Sequence, residues 1–283
     1  MKEDIKTSQN NTVHLQGYIN GVRMNETQSG RTAINLNVAT QERYQDKDQV
    51  WKTRNSFHDV TLFTDDKETI AKFGKIAKDI EEKKANAEVK DFKPVNHTIS
   101  LDGTLVNSEN KLGDQTYRSI QVIAKPESVD LDAKKAEKEV SNKAVLAGNI
   151  ASVYVDKEKK FAVVALIHNF RPEGSDKEYK TSIDVRLSGD RKFSKETYDK
   201  LANGELGKGD FVRAQGQLHN TKREGEAGTR YGVTLDATGF DLLAKKAAKK
   251  EEVKEEKKSG KKAAPAPKPE KKAKSNKKAG IKM

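Results

Sequence analysis

The 283-residue chain contains no cysteine, one tryptophan and six prolines. Without cysteine there is neither a disulfide framework nor a thiolate metal site, and a cytoplasmic home is the default expectation. No hydrophobic run approaches the ~18 residues that a membrane-spanning helix needs, so no membrane partner is expected. Met1 to Asn10 is polar and lacks the apolar core of a secretion signal. Motifs for catalysis and metal binding are missing too. The five histidines, His14, His58, His97, His168 and His219, show no ligand spacing and no HExxH-like pair, and read as satisfied strand residues. Gly204-Glu-Leu-Gly-Lys208 resembles half a phosphate loop, but it lacks the following Ser/Thr and the preceding strand and reads as a turn. No serine has a paired base in a recognisable motif. The carboxylates are interleaved with lysine, the pattern of a solvated surface. No enzyme activity, cofactor or metal is expected.

Net charge is scarce outside one segment. Of a formal +12, Ala244 to Met283 supplies +11 through 16 Lys and 5 Glu. The body, Met1 to Leu243, holds 39 basic and 38 acidic residues, a net +1. A cationic tail on a balanced body suits a polyanion such as nucleic acid; a merely solubilising tail is the alternative. Ala244 to Lys258 has Lys and Glu in helix-permissive spacing, whereas Ser259 to Met283 is a Lys/Ala/Pro segment that cannot build a core. Disorder is expected over 244–283.

What the body does contain is a repeat of alternating segments. Val13, Leu15 and Ile19 alternate with His14, Gln16 and Tyr18 around Gly17, where a bulge or sharp bend is expected. Ile34, Leu36 and Val38 alternate with Asn35 and Asn37. Val60 and Leu62 face opposite to Phe57, Asp59, Thr61 and Phe63. Asp65 reads as a helix N-cap, followed by an apolar stripe of Ile70, Phe73, Ile76 and Ile80. Ile99, Leu101 and Leu105 form a fourth strand around Gly103, and Ile120 and Val122 belong to a fifth.

The layout then returns. Asn11-Thr-Val-His-Leu-Gln-Gly17 matches Asn142-Lys-Ala-Val-Leu-Ala-Gly148 at an offset of 131, and Asp59 matches Asp184 at 125. Leu101 to Leu105 matches Ala214 to Leu218 at 113, as Thr116 to Val122 matches Thr229 to Leu235. Four anchors in one order argue for duplication, with shorter connections in the second copy. Its strands centre on 146–150, 161–167, 183–187, 212–218 and 231–235, with a shorter helix from Ser194 to about Ala202. Phe161 to Ile167 is a continuous apolar run, expected where both faces are covered. Three strands, a helix and two strands is the order of a five-stranded OB barrel. The expected architecture is all-β: a flexible N-terminus (1–10), an OB-fold domain (11–129), a charged linker with room for a short helix (130–141), a second OB-fold domain (142–243) and a basic disordered tail (244–283).

Asn11-Thr-Val-His-Leu-Gln-Gly17, Leu36-Asn-Val-Ala-Thr40, Tyr44-Gln-Asp-Lys47 and Phe57-His-Asp-Val-Thr-Leu-Phe63, in that order, resemble the bacterial single-stranded-DNA-binding protein family. The resemblance covers roughly 11–126; the second copy is similar mainly through the first, as in family members with tandem OB folds. It implies base stacking over a basic groove, with Tyr44, Phe57, Phe63 and Tyr117 at the aromatic positions of the family. One aromatic is absent, since Val106, Asn107, Ser108 and Glu109 follow Gly103. The family's acidic tip is absent too: the chain ends Lys277-Lys-Ala-Gly-Ile-Lys-Met283, so recruitment of protein partners through that tip is not implied.

The residues give a compatible reading. Aromatic platforms hold bases without reading sequence, at about 1–3 kcal/mol per stacked base. Trp51 joins the candidate rings if the third strand begins there. Arg31, Arg43, Lys47, Lys52, Arg54 and Arg118 lie beside the aromatics and are candidates for phosphate neutralisation. Each ring has an alternative: Phe63 and Tyr117 as core, Trp51 as a barrel lid. The second copy has Ser182 and Ser188 where the first has Phe57 and Phe63. Its candidates are Phe170, Tyr179 and Tyr231 with Lys180, Arg186 and Arg230. It is expected to bind strands more weakly, serving instead domain packing or a homodimer. The expected partner is single-stranded DNA, with a bacterial, phage or mobile-element source. An OB scaffold that binds proteins and an RNA-binding OB protein are the alternatives.

Overall fold

In a computed structural model the described residues are 11–45, 48–88, 95–112, 115–132, 142–170, 179–225 and 228–246. Their elements follow the duplicated order. The first set is β1 (Asn11–Glu26), β2 (Thr32–Gln45), β3 (Trp51–Thr64), α1 (Lys67–Ala85), β4 (Thr98–Leu112) and β5 (Gln115–Ala124). The second is β6 (Asn142–Asp156), β7 (Phe161–Phe170), β8 (Tyr179–Ser188), α2 (Lys195–Ala202), β9 (Phe211–Gly225) and β10 (Gly228–Ala244).

In the first set β1 pairs with both β2 and β4, β4 with β5, and β5 runs parallel to β3, so the circuit closes. The second closes in the same way, with β8 parallel to β10. Closure shortens the free edges that would otherwise template aggregation. Alternation dictates the interior: Val13, Leu15, Ile34, Leu36, Val60, Leu62 and Leu101 fill one barrel, and Leu146, Val164, Leu166, Ile183, Val185 and Val212 the other. Phe73, Ile76 and Ile80 of α1 join the core as the helical stripe predicts; Ile70 is only partly covered.

The helix starts one residue later than expected. Asp66, not Asp65, is its N-cap, and its carboxylate accepts from the Glu68 and Thr69 amides. The Thr69 hydroxyl also donates to it at 2.5 Å, and this bond, ahead of the Thr69 amide, holds the Asp66 carboxyl below its ordinary pKa. Asp66→Ala is expected to lower Tm by a few degrees in a thermal melt at pH 7.

Gly17 is not a bulge. The register shifts instead between Ile19 and Gly21. Gly17 is there because a Cβ would lie 2.1 Å from the carbonyl oxygen of Ala39. The second copy repeats both features, with a shift between Ile150 and Ser152 and a Cβ at Gly148 only 2.5 Å from the Ile167 carbonyl. The bulge and the close approach are therefore separate devices three residues apart.

The strand expected to be covered on both faces is covered on one. Ala162, Val164, Leu166 and His168 are buried, whereas Phe161, Val163, Ala165 and Ile167 are only half-buried. The outer face of β7 is thus apolar without being sealed.

The barrels are joined edge to edge. β1 and β6 run antiparallel from Asn11 opposite Leu146 to Leu15 opposite Asn142. Since Asn11 corresponds to Asn142 and Leu15 to Leu146, an approximate two-fold axis passes through the pair Val13 and Ala144. Side chains obey it as well. Asn11 donates to the Leu105 carbonyl at 2.9 Å and accepts from its amide at 3.0 Å. Asn142 does the same to Leu218, at 2.6 and 3.0 Å. The Phe57 amide donates to Asn220 Oδ1 at 2.6 Å, and its counterpart, the Ser182 amide, donates to Asn107 Oδ1 at 3.2 Å. Residues through Lys246 form one compact unit.

Two boundaries move. β10 reaches Ala244, and the tail's first lysines belong to the body: Lys245 Nζ lies 3.1 Å from Asp210 Oδ2, and the Lys246 amide donates to Asp210 Oδ1 at 2.9 Å. Asp130, the start of the expected linker, bridges to Ser100. Residues 133–141, the N-terminal ten and 247–283 fall outside the described residues, and with them the linker helix and the disordered tail.

Candidate nucleic-acid interface

β2 and β3 stay paired beyond the barrel, from Thr32 opposite Thr64 out to Gln45 opposite Trp51, and the distal part projects as an exposed arm. Strand parity decides which rings share a surface. Trp51, Thr53, Asn55 and Phe57 form the outer face of β3, joined by Arg43, which is opposite Thr53. Trp51 is 61% exposed and Phe57 45%. A large ring held that far into water is suited to receiving a ligand. The Arg43 guanidinium lies 5.6 Å from the Trp51 ring centre, a cation over a π-face.

Tyr44 is exposed, but it is opposite Lys52 and so points to the other face from Trp51 and Phe57. Its ring lies under the Arg54 guanidinium at 5.8 Å. Arg54 is committed to the barrel seam: it pairs with Glu42 at 2.8 Å and donates to His219 Nε2 at 2.7 Å. Asp236 lies 3.8 Å away. Phe63 shares the face of Phe57 about 20 Å along the strand; it is half-buried, and its carbonyl accepts from Arg31 at 2.8 Å. Lys52 is exposed. Lys47 lies outside the described residues, as do the side chains of Tyr117 and Arg118 in β5.

Phe57 borders a recess of about 280 Å³ that is rich in amides and hydroxyls: Asn20, Asn55 and Asn96, with Tyr18, Thr40 and Lys83. Lys83 comes from the last turn of α1 and donates to Asn96 Oδ1 at 2.8 Å. A π-face, hydrogen-bonding amides and an ammonium group within one recess can stack a base, meet its edge and neutralise a phosphate. Tyr18 was legible as an outward aromatic between Gln16 and Ile19. Lys83 had no signal in sequence, because only the fold carries the end of α1 to the recess beside Phe57.

Of the second-copy candidates, Tyr179 (43% exposed), Lys180 and Arg186 lie at the surface. Phe170 is directly opposite Tyr179 in the β7–β8 ladder, and Tyr231 opposite Lys222, next to Arg230, in β9–β10. The side chains of Phe170, Arg230 and Tyr231 are outside the described residues. The position lacking an aromatic after Gly103 is in use: Asn107 serves the seam.

All five histidines have partners. His14 pairs with Asp102 and His97 with Asp79, each at 2.9 Å. His168 Nδ1 lies 2.6 Å from the Ala147 carbonyl. His58 and His219 sit in the seam. His58 Nε2 accepts from the Thr40 hydroxyl at 2.9 Å and from the Asn142 amide at 3.4 Å, and burial pushes its pKa down to about 4. Because Arg54 can only donate to His219 Nε2, the proton of His219 sits on Nδ1, toward Ser56 Oγ at 3.1 Å. Burial lowers the His219 pKa as well. Among the described residues no cluster of three or more His, Asp or Glu is placed to hold a metal, and no helix is long and apolar enough to cross a membrane.

The strand circuits and the helix between the third and fourth strands define OB-type barrels. No protein-family model and no curated protein matches the chain. Among solved structures, a deletion mutant of the single-stranded DNA binding protein from Thermus aquaticus is similar, with a TM-score of 0.54 at 19% identity over 85% of this chain and 98% of that one. The wild-type protein of the same organism gives 0.52 at 18% identity, over 84% and 95%. The likeness is one of fold, extending over most of this chain and nearly the whole of the other.

Proposed function

We propose that the chain binds single-stranded DNA without catalysis and without sequence selectivity, protecting exposed strands in replication, recombination or repair in the cytoplasm. Bases stack on Phe57 and Trp51, while Arg43 and Lys83 meet phosphates; Lys52, on the face of Tyr44, lies away from these rings. The observation that carries this reading is Phe57, 45% exposed on the outer face of β3 beside an amide-lined recess holding Lys83. The likeness in fold to proteins named for binding single-stranded DNA supports it. In the tail, the lysines beyond Lys246 add phosphate contacts that carry no sequence information.

The test is a titration of Trp51 emission with oligo-dT, duplex DNA and RNA at several salt concentrations. Quenching by oligo-dT ahead of duplex is expected, with log affinity falling against log salt by about 0.7 per phosphate contacted. Phe57→Ala is expected to weaken oligo-dT binding by about 1–3 kcal/mol, roughly 5- to 150-fold. A truncation after Lys246, which spares the braces to Asp210, is expected to keep the preference and lose part of the salt slope. Emission indifferent to every strand would favour the scaffold alternative, and tighter binding of RNA at equal length and salt would favour the RNA reading.

A further inference from the structure

The second barrel lacks rings at Ser182 and Ser188, and on sequence alone it is the weaker binder. The ladders change that comparison. In the first barrel Phe63 is paired across the strands with Ala33. In the second, Ser188, the counterpart of Phe63, is paired with Phe161. The large and small members of the pair have changed places. The ring lost from the third strand of the copy is supplied by its second strand, at the same rung and on the same outward face.

Around Phe161 the surface differs from the first barrel in a consistent direction. The ladders set Tyr154, Val163 and Arg186 where the first barrel has Arg23, Asn35 and Thr61. There, Thr61 donates to Asn35 at 2.9 Å, and the two polar groups satisfy each other. In the second barrel the same place is an open recess of about 610 Å³ lined by Tyr154, Phe161, Val163, Arg186, Asn220 and Lys222. Tyr154 is 58% exposed. Its ring meets that of Phe161 at 6.0 Å between centres and 51° between planes, so the two do not stack face to face and consume each other's π-surface. Among the described residues, the lining holds two cationic side chains and no carboxylate.

The recess also adjoins the first barrel's site. Asn220, on its rim, accepts from the Phe57 amide at 2.6 Å and donates to the Phe57 carbonyl at 3.0 Å. A strand leaving Phe57 therefore meets Asn220 next, and beyond it the aromatic recess.

We infer that Tyr154 and Phe161 form a second base-stacking site, with Arg186 and Lys222 meeting the flanking phosphates, and that one single strand occupies it together with the Phe57 site. This rests on the single-strand reading above, and it assigns to the second barrel a role in binding through residues other than those its sequence pointed to. Apolar walls, π-faces and guanidinium and ammonium groups fit a nucleobase with its phosphates.

The test uses the full chain. An OB barrel spans about 4–16 nucleotides, so a short oligo-dT of about 8 fills one barrel and one of about 30 reaches both. Tyr154→Ala and Arg186→Gln are each expected to weaken the longer strand about tenfold and to change the shorter by less than about twofold, with unaltered circular dichroism and Tm. In a Trp51→Phe, Tyr154→Trp double variant the emission comes from position 154 alone, and the longer strand is expected to quench it. Unchanged affinity in both single variants with an unresponsive position 154, while Trp51 of the unmodified chain still reports binding, overturns this inference alone. Silence of Trp51 toward every strand overturns the single-strand reading itself.

Discussion

Gly17→Ala is expected to leave the first barrel unable to close. The new Cβ would sit 2.1 Å from the Ala39 carbonyl oxygen and 2.9 Å from its carbon, and both belong to backbone that the β1–β2 ladder holds in register. Side-chain adjustment cannot relieve a clash with backbone, so the strands must separate. A cost of about 3 kcal/mol or more follows from overpacking at such a point, a large part of the ~5–15 kcal/mol that holds a domain folded. Gly216→Ala should behave alike, since its Cβ would lie 2.1 Å from the Asp236 carbonyl oxygen. Gly74→Ala in α1 provides the contrast. There the nearest atom is the Met24 methyl carbon at 3.6 Å, and removing backbone entropy from a helix interior is expected to stabilise by about 1 kcal/mol. Urea denaturation of the three variants checks the sign at each site. Loss of stability at Gly74 or none at Gly17 would contradict the packing described.

Acid is expected to loosen the seam between the barrels through its buried histidines. His58, with a folded pKa near 4, is neutral in the fold and binds a proton in the unfolded chain below about 6.5. The unfolded state then holds more protons, so stability is full above pH 6.5 and falls as pH drops toward 4. For His58 alone the shift corresponds to about 3 kcal/mol. His168 and His219 act in the same direction, both lowered chiefly by burial. The groups facing His219 divide: Asp236 and Glu42 favour its protonation, while Arg54 and Arg186 oppose it. A protonated His58 would also lose its role as acceptor from Thr40 and Asn142. Chemical denaturation at pH 7 and pH 4.5 should show the loss. His58→Gln, which keeps a polar partner for Thr40 and cannot gain the charge, should flatten it. Parallel profiles for the two proteins would rule out His58 as the cause.

Much of this was legible because alternation and duplication are local signals. Val13, Leu15, Ile34, Leu36, Val60 and Leu62 declare an interior face by spacing alone, and the stripe of Phe73, Ile76 and Ile80 declares the helix. What escaped depends on contacts between segments distant in sequence. Gly17 was read as a bend because the Ala39 carbonyl above it is invisible along the chain. Tyr44 was grouped with Trp51 and Phe57 because neighbourhood in sequence does not fix parity across a hairpin. The run from Phe161 to Ile167 looked sealed on both sides, since hydrophobicity records what a face prefers and not what covers it. The anchors at 11 and 142 were visible as a repeat. Their pairing as a seam appeared only once β1 and β6 lay side by side.

That seam constrains how a polynucleotide would lie on the surfaces proposed to bind it. A nucleic-acid strand has a 5′ and a 3′ end, whereas the axis through Val13 and Ala144 turns one barrel into the other with its direction reversed. A strand passing straight from Phe57 across Asn220 therefore meets the second barrel with the opposite polarity to that in which it met the first. Two identical binding surfaces would serve such a path poorly unless the strand doubled back. On the two-site reading proposed above, rings carried on β3 in one copy and on β6 and β7 in the other would let each barrel grip a backbone running its own way.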